Sequence, residues 1–189
     1  MKKIIFATSN KGKYNSARTF LAKYGIKVIQ KSLKIPEPRG SLEEIAIQKA
    51  KYAFRILKKP LITMDAGFFI PSLGGFPMMF TNFVLDTIGI DGILKLVDGK
   101  NRNCEFREVL CYYDNIRLKL FKRIVKGKIA KAPRGKVKPY HWSKLFLIFI
   151  PEGETKTIAQ MSKQEFMNFR KRVNKNSHWE QFAKFYLDL

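Results

Sequence analysis

Acid is scarce in this chain. Fifteen Asp and Glu stand against 37 Lys and Arg, a formal net charge of +22 over 189 residues. That balance disfavours cationic partners and favours polyanions: nucleotides, nucleic acid or an acidic surface. Cysteine is scarcer still. Cys104 and Cys111 lie an odd number of positions apart in one expected strand, so they point to opposite faces and do not bond to each other. Two isolated thiols make no metal site and suit a reducing compartment. Long apolar runs are also missing. The longest, 145–150, is strand-sized and far below the ~18 residues of a membrane span. The apolar stretch after Lys3 stops at Thr8, too short for a signal-peptide core, so a cytoplasmic location is expected. Zinc spacings, a Walker A loop, a dinucleotide fingerprint and internal repeats are absent as well.

What remains is a chain with 46% hydrophobic residues, enough to bury the core of one domain, with room for two lobes. The stretch that organises it is Leu61-Ile62-Thr63-Met64-Asp65-Ala66-Gly67-Phe68-Phe69. An apolar strand runs to one carboxylate and is expected to turn at Gly67. Asp65 would then sit at the C-terminal end of a buried strand, where α/β folds place ligands. A lone acid in so basic a chain is a candidate metal ligand or general base. The structural alternative is an aspartate that opens a turn.

Taken in order, residues 2–7 read as a strand, and Thr8-Ser9-Asn10-Lys11-Gly12-Lys13 as a turn into a helix over 14–24 that stops at Gly25. Such a turn aims free N–H groups and a positive helix end at one spot, where Thr8, Asn10 and Lys13 could hold phosphate. An ordinary helix cap is the plainer account. A strand over 26–30 and a loop marked by Pro36, Pro38 and Gly40 follow. Ser41 and Glu44 form a capping box for a helix reaching Leu57, and Glu44 is either just a cap or a carboxylate aimed at a metal. Helices are expected over 81–87 and 92–97, broken at Gly89-Ile90-Asp91-Gly92. Strands over 103–113 and 116–125 join at Asp114-Asn115. Their polar face carries Arg117, Lys119, Lys122 and Arg123, continued by cations to Lys138; most of these read as a solvated face, with a minority able to steer an anion. A strand over 145–150 and helices over 162–173 and 179–187 complete the chain, with Phe182, Phe185 and Tyr186 as core candidates. His178, just before the last helix, reads as a cap or surface residue.

Several of these pieces, in this order, resemble the inosine triphosphate pyrophosphatase family, which hydrolyses noncanonical purine nucleoside triphosphates. Thr8 to Lys13 is similar to its T-x-N-x-x-K opening, and Glu44 through Lys49 to its acidic helix with a lysine five residues on. Met64-Asp65-Ala66-Gly67-Phe68 resembles its acid-Asp-hydroxyl-Gly pattern, Gly75-Phe76-Pro77 its G-F-P, Arg134-Gly135 its R-G, and Ser177-His178 the start of its S-H-R. The resemblance implies an α/β fold: an elongated mixed sheet flanked by helices, in two lobes with a central cleft, the whole of 1–189 forming one such domain. It implies Mg²⁺-dependent cleavage between the α and β phosphates, giving a nucleoside monophosphate and pyrophosphate, by a homodimer. It places Thr8, Asn10, Lys13 and Lys49 on the phosphates, Glu44 and Asp65 on the metal, and Asp65 on the attacking water. Lys175, Ser177 and His178 would lie at the base.

The chain also departs from the pattern. Ile45 stands for an asparagine, Met64 for an acid, Ala66 for a hydroxyl and Trp179 for the arginine of S-H-R. Ser143-Lys144-Leu145-Phe146-Leu147 fills the register of F-G-W/Y-D-P, without its aspartate or glycine. Losing polar readers predicts relaxed or altered base selection, with Tyr140, His141 and Trp142 as candidate stacking residues. Two alternatives stand beside the enzyme: a catalytically weakened nucleotide-binding protein on the same fold, and, less favoured, a basic protein that binds nucleic acid through the 117–138 arm.

Overall fold

The computed structural model of the chain describes residues 1–36 and 40–189. Pro38, part of the expected loop, lies outside them. Strands β1 (Lys2–Ala7), β2 (Ile26–Lys31), β3 (Leu61–Phe69), β4 (Pro77–Met78), β5 (Asn103–Tyr113), β6 (Leu118–Ile129) and β7 (Phe149–Pro151) form one mixed sheet. Its order is β2-β1-β3-β5-β6-β7, with β4 paired to β3. β1 runs parallel to both β2 and β3, whereas β4 lies antiparallel to β3 and β7 antiparallel to β6. The helices are α1 (Lys11–Leu21), α2 (Leu42–Leu57), α3 (Thr81–Thr87), α4 (Gly89–Leu96), α5 (Lys163–Val173) and α6 (His178–Leu187). No helix among the described residues is long and apolar enough to cross a membrane.

The chain divides into two compact units. One comprises Met1–Asp65, Glu108–Arg123 and Asn174–Leu189. Its core gathers Ile4, Phe6, Leu21, Ile62, Leu110, Phe121, Trp179 and Phe182. α2 turns one face inward: Leu42, Ile45, Ala46, Ala50 and Ala53 recur on one helical face and are buried. Ile45, where the resemblance calls for asparagine, is thus a core residue. Ser41 starts α2 through the expected capping box: its Oγ accepts from Glu44 N, and Glu44 Oε2 accepts from Ser41 N at 2.8 Å. The other unit comprises Ala66–Arg107 and Ile124–Val173, around Phe68, Ile93, Phe106, Phe149 and Phe166.

Four expectations are corrected. β3 does not end at Asp65 but runs on to Phe69, because Phe68 and Phe69 pair with Met78 and Pro77 of β4. Gly67 is therefore a strand residue. A Cβ there would meet Met78 O at 2.6 Å, so the glycine permits the close approach of two backbones and makes no turn. The break between α3 and α4 falls at Gly89, which has a positive φ of 65° and itself begins α4. The apolar run 145–150 is not one strand. Lys144–Leu147 is a 3-10 turn capped by Ser143, whose Oγ accepts from Leu145 N at 3.2 Å, and the strand starts only at Phe149. Arg123 does not belong to a solvated face, because its guanidinium pairs with the buried Glu108. Cys104 and Cys111 are both free and buried on β5.

Candidate functional site

The residues expected on the phosphates, the metal and, at Lys175, Ser177 and His178, the base all lie in the first unit. The turn after β1 is built as the sequence indicates. Thr8 Oγ1 accepts from Asn10 N at 3.1 Å, and Asn10 Oδ1 accepts from Lys13 N at 2.9 Å, which makes Asn10 the N-cap of α1. The cap fixes where the Lys13 side chain departs, and its Nζ donates to Met64 O at 3.1 Å.

β3 and α2 are tied by Thr63, whose Oγ1 donates to Ala46 O at 2.8 Å. Residues two apart on a strand share a face, and residues three apart on a helix lie one turn apart. This single bond therefore brings Asp65 opposite Lys49. Lys49 Nζ lies 2.6 Å from Asp65 Oδ2, and Asp65 is only 8% exposed. Two lysines thus converge on the consecutive residues Met64 and Asp65. Met64, where an acid was looked for, packs its side chain against the core of the unit.

Glu44 sits in the exposed first turn of α2. Its Oε2 serves the cap, and Oε1 takes no part in it. The Ser41 N–H first, then the Ser41 hydroxyl, hold the carboxyl below its ordinary value. No group of three or more His, Cys, Asp and Glu is placed to hold a metal among the described residues. Glu44 and Asp65 each offer only oxygen donors. Mg²⁺ takes one or two carboxylates and keeps its other waters, so the chemistry of those donors fits it.

The last part of the site lies at the start of α6. His178 is buried, not a surface cap, with its ring 4.7 Å from Trp179 and 0% exposed. Ser177 is buried too. Ser177 Oγ and both His178 ring nitrogens lack a hydrogen-bond partner among the described residues. Leaving such groups dry and unpaired costs ~1–3 kcal/mol each, so a ligand that pairs with them gains what folding forfeits. Lys175 is exposed; it acts electrostatically on Glu180, and no contact joins it to Ser177 or His178 among the described residues. Trp179, where arginine was expected, is a core residue packed edge-on to Phe6 at 5.9 Å.

Sequence reasoning missed the groups behind His178. Glu108 of β5 is 5% exposed, and Arg123 of β6 places both Nε and Nη2 2.5 Å from its Oε2. Arg123 Nη1 donates to Asn174 Oδ1 at 2.5 Å, and His178 Nδ1 stands 3.8 Å from Glu108 Oε2. Burial alone would raise the Glu108 carboxyl; Arg123, then His178 and Lys13, bring it below its ordinary value. Burial drives the His178 imidazole down to about 3, with Arg123 adding to the fall and Glu108 opposing it, so the ring is neutral at pH 7. The signal lay in β5, where alternation gives way to a run buried on both faces from Glu108 to Tyr112. A glutamate inside such a run needs a counter-charge.

The candidate stacking residues of the altered loop are in the second unit and engaged by rings there. Trp142 lies 5.2 Å from Phe106 and 5.1 Å from Phe146, and Tyr140 lies 5.3 Å from Phe166. His141 also packs on Phe166, at 5.2 Å.

Comparison with known proteins gives one family. The sequence profile of the Ham1 family matches residues 4–177. The chain is 41% identical over 187 residues to a dITP/XTP pyrophosphatase of Methanopyrus kandleri, covering 97% of this chain and 96% of that protein. It is 35% identical over 188 residues to the dITP/XTP pyrophosphatase of Saccharolobus solfataricus, covering 98% and 96%. Among solved structures, a HAM1 protein from Coxiella burnetii superposes with a TM-score of 0.84 at 22% identity, over 100% of both chains. The Staphylococcus aureus Ham1 protein does so with a TM-score of 0.81 at 24% identity, over 99% of both. At those identities the structures speak for the fold.

Proposed function

The chain belongs to the Ham1 family, and from that premise we propose that it hydrolyses noncanonical purine nucleoside triphosphates to the monophosphate and pyrophosphate. The observation that carries this function is the convergence of Lys13 and Lys49 on Met64 and Asp65, beside a capped helix start. A triphosphate brings about four negative charges, which cations must offset before water can approach phosphorus. Lys13 and Lys49 bind and neutralise the phosphates, with Thr8 and Asn10 shaping the turn that receives them. When phosphate draws Lys49 away, the Asp65 carboxylate is released to orient the attacking water and accept its proton. Glu44 and Asp65 would hold Mg²⁺, which when bound supplies further neutralisation of the phosphate charge and a more acidic water. Ser177 and His178 offer donors and an acceptor to the base.

Selection among bases is looser in this proposal than in a site with more polar readers. It is supported by Trp179 and Phe146, which are buried in apolar cores where the resemblance calls for polar groups. We further propose a homodimer formed through the second unit. Phe80 and Phe83 are 58% and 67% exposed there, with Met78 and Ile88 exposed beside them in sequence. A cytoplasmic location agrees with two free thiols and with the nucleotide substrate.

The experiment is direct. The protein is incubated with Mg²⁺ and dITP or XTP, and pyrophosphate and monophosphate are measured. Release of orthophosphate in place of pyrophosphate, or no release, would overturn the assignment.

A further inference from the structure

Behind the base end of the site lies an ion pair that the proposed reaction does not use. Glu108 and Arg123 come from neighbouring strands, and the guanidinium spends two donors on one carboxylate oxygen and a third on Asn174. Asn174 stands three residues before Ser177, whose backbone N–H donates to Asn174 O at 3.2 Å. The pair thus grips the segment that enters α6. It also flanks the His178 ring, which is wholly buried and has no hydrogen-bond partner on either nitrogen among the described residues. A guanidinium reaches this spot from β6, while Trp179 fills the position where the resemblance calls for one.

We propose that Glu108 and Arg123 are positioning residues for base recognition: their ion pair fixes the Asn174–Ser177 turn and cancels the field that either partner alone would impose on the His178 imidazole. This rests on the pyrophosphatase function proposed above and adds two residues to it.

The physical basis is charge balance in a dry place. The charged groups that face His178 among the described residues are Glu108 on β5 and Arg123 on β6, with Lys13 of α1 acting on Glu108. Its own helix contributes the Trp179 ring. A neutral imidazole presents one donor and one acceptor; a protonated one presents two donors and repels any base edge that donates. With Glu108 unpaired, its carboxylate would favour the protonated ring, and the site would lose its acceptor. With the pair intact the two effects oppose each other.

Histidine-selective NMR with pyrophosphate-release kinetics tests this. The chain has two histidines, and a His178→Gln variant assigns the resonances. In the intact protein the His178 ring signal stays at its neutral position from pH 8 to 5.5. In Arg123→Gln it titrates within that window, and the KM for dITP rises at least fivefold as pH falls across it while kcat holds. The double variant Glu108→Gln/Arg123→Gln removes both charges and restores a flat His178 signal and a pH-independent KM. Arg123→Lys keeps the charge without the fork: His178 stays neutral, yet KM rises severalfold because Asn174 is no longer held. A purely structural pair would lower the melting temperature in all these variants without any pH dependence of KM. A folded Arg123→Gln protein whose His178 signal stays flat overturns the proposal. The NMR readout needs no turnover, so an inactive wild-type protein would sink the pyrophosphatase function and leave the charge-balance result to stand or fall by itself.

Discussion

Lys49 Nζ and Asp65 Oδ2 meet at 2.6 Å across the packing of α2 on β3. In the proposed reaction, the cation that binds phosphate guards the acid that orients water until substrate arrives. Replacing Asp65 by Asn keeps the shape and removes the base, so turnover should fall by about 10²–10⁴ with the fold intact. Lys49→Met should raise KM and also take a cation away from a buried carboxylate, which lowers stability. Steady-state pyrophosphate release and a melting curve separate the two effects. Full activity in the Asp65→Asn protein would remove Asp65 from its role.

Base choice should be shallow. A panel of dITP, XTP, ATP and GTP should give kcat/KM values within a factor of ~10² of one another, since apolar Phe146 and Trp179 replace two of the polar readers that the resemblance calls for and apolar packing discriminates no better than that. A preference of ~10⁴ for dITP and XTP alone would mean that polar readers other than Asp and Arg are at work.

Acid should destabilise the fold early. The His178 pKa is depressed to about 3 in the folded state, against 6.5 as the ordinary value. The unfolded chain thus binds the proton more readily. The stability this group contributes is complete above pH 6.5 and is lost as pH falls from there toward 3. The slope approaches about 1.4 kcal/mol per pH unit for one proton. Glu108, also depressed, adds its own loss below its ordinary 4.5. Urea titrations from pH 8 to 4 should show this decline, and His178→Gln should flatten the part that begins near neutrality.

The second unit offers a steric prediction. Gly67→Ala would force a Cβ to within 2.6 Å of Met78 O. Either β4 moves off β3 or the strand bends, at a cost of ~1–3 kcal/mol. Hydrogen exchange at the β3–β4 pairing should report it before global unfolding does.

Oligomeric state is checked at the exposed aromatics. Phe83 is 67% exposed on α3, and Phe83→Glu should convert a dimer to a monomer in light scattering without lowering the melting temperature of the unit. If the variant and the wild type elute with the same mass, this face is not the interface.

Much of the fold was legible because it is written locally. The Ser41–Glu44 box, the Asn10 cap and the glycine after Tyr24 each act within a few residues, so spacing alone reveals them. What failed depended on partners distant in sequence. Gly67 reads as a turn until Met78 is seen lying against it. His178 reads as a surface cap until β5 and β6 close over it. Arg123 alternates correctly for a solvated face, yet its partner is a glutamate fifteen residues away on the next strand. The proposed phosphate end, made of short-range turns, was therefore readable, whereas the layer behind His178 was not.

Both thiols sit deep in β5, and burial pushes Cys104 far up and Cys111 up to about 12. Oxidants and alkylating reagents meet protonated, shielded sulfur. A single cysteine engineered onto the surface would then be the one readily reactive thiol. Fluorophores or spin labels could be attached there without first stripping the native sequence.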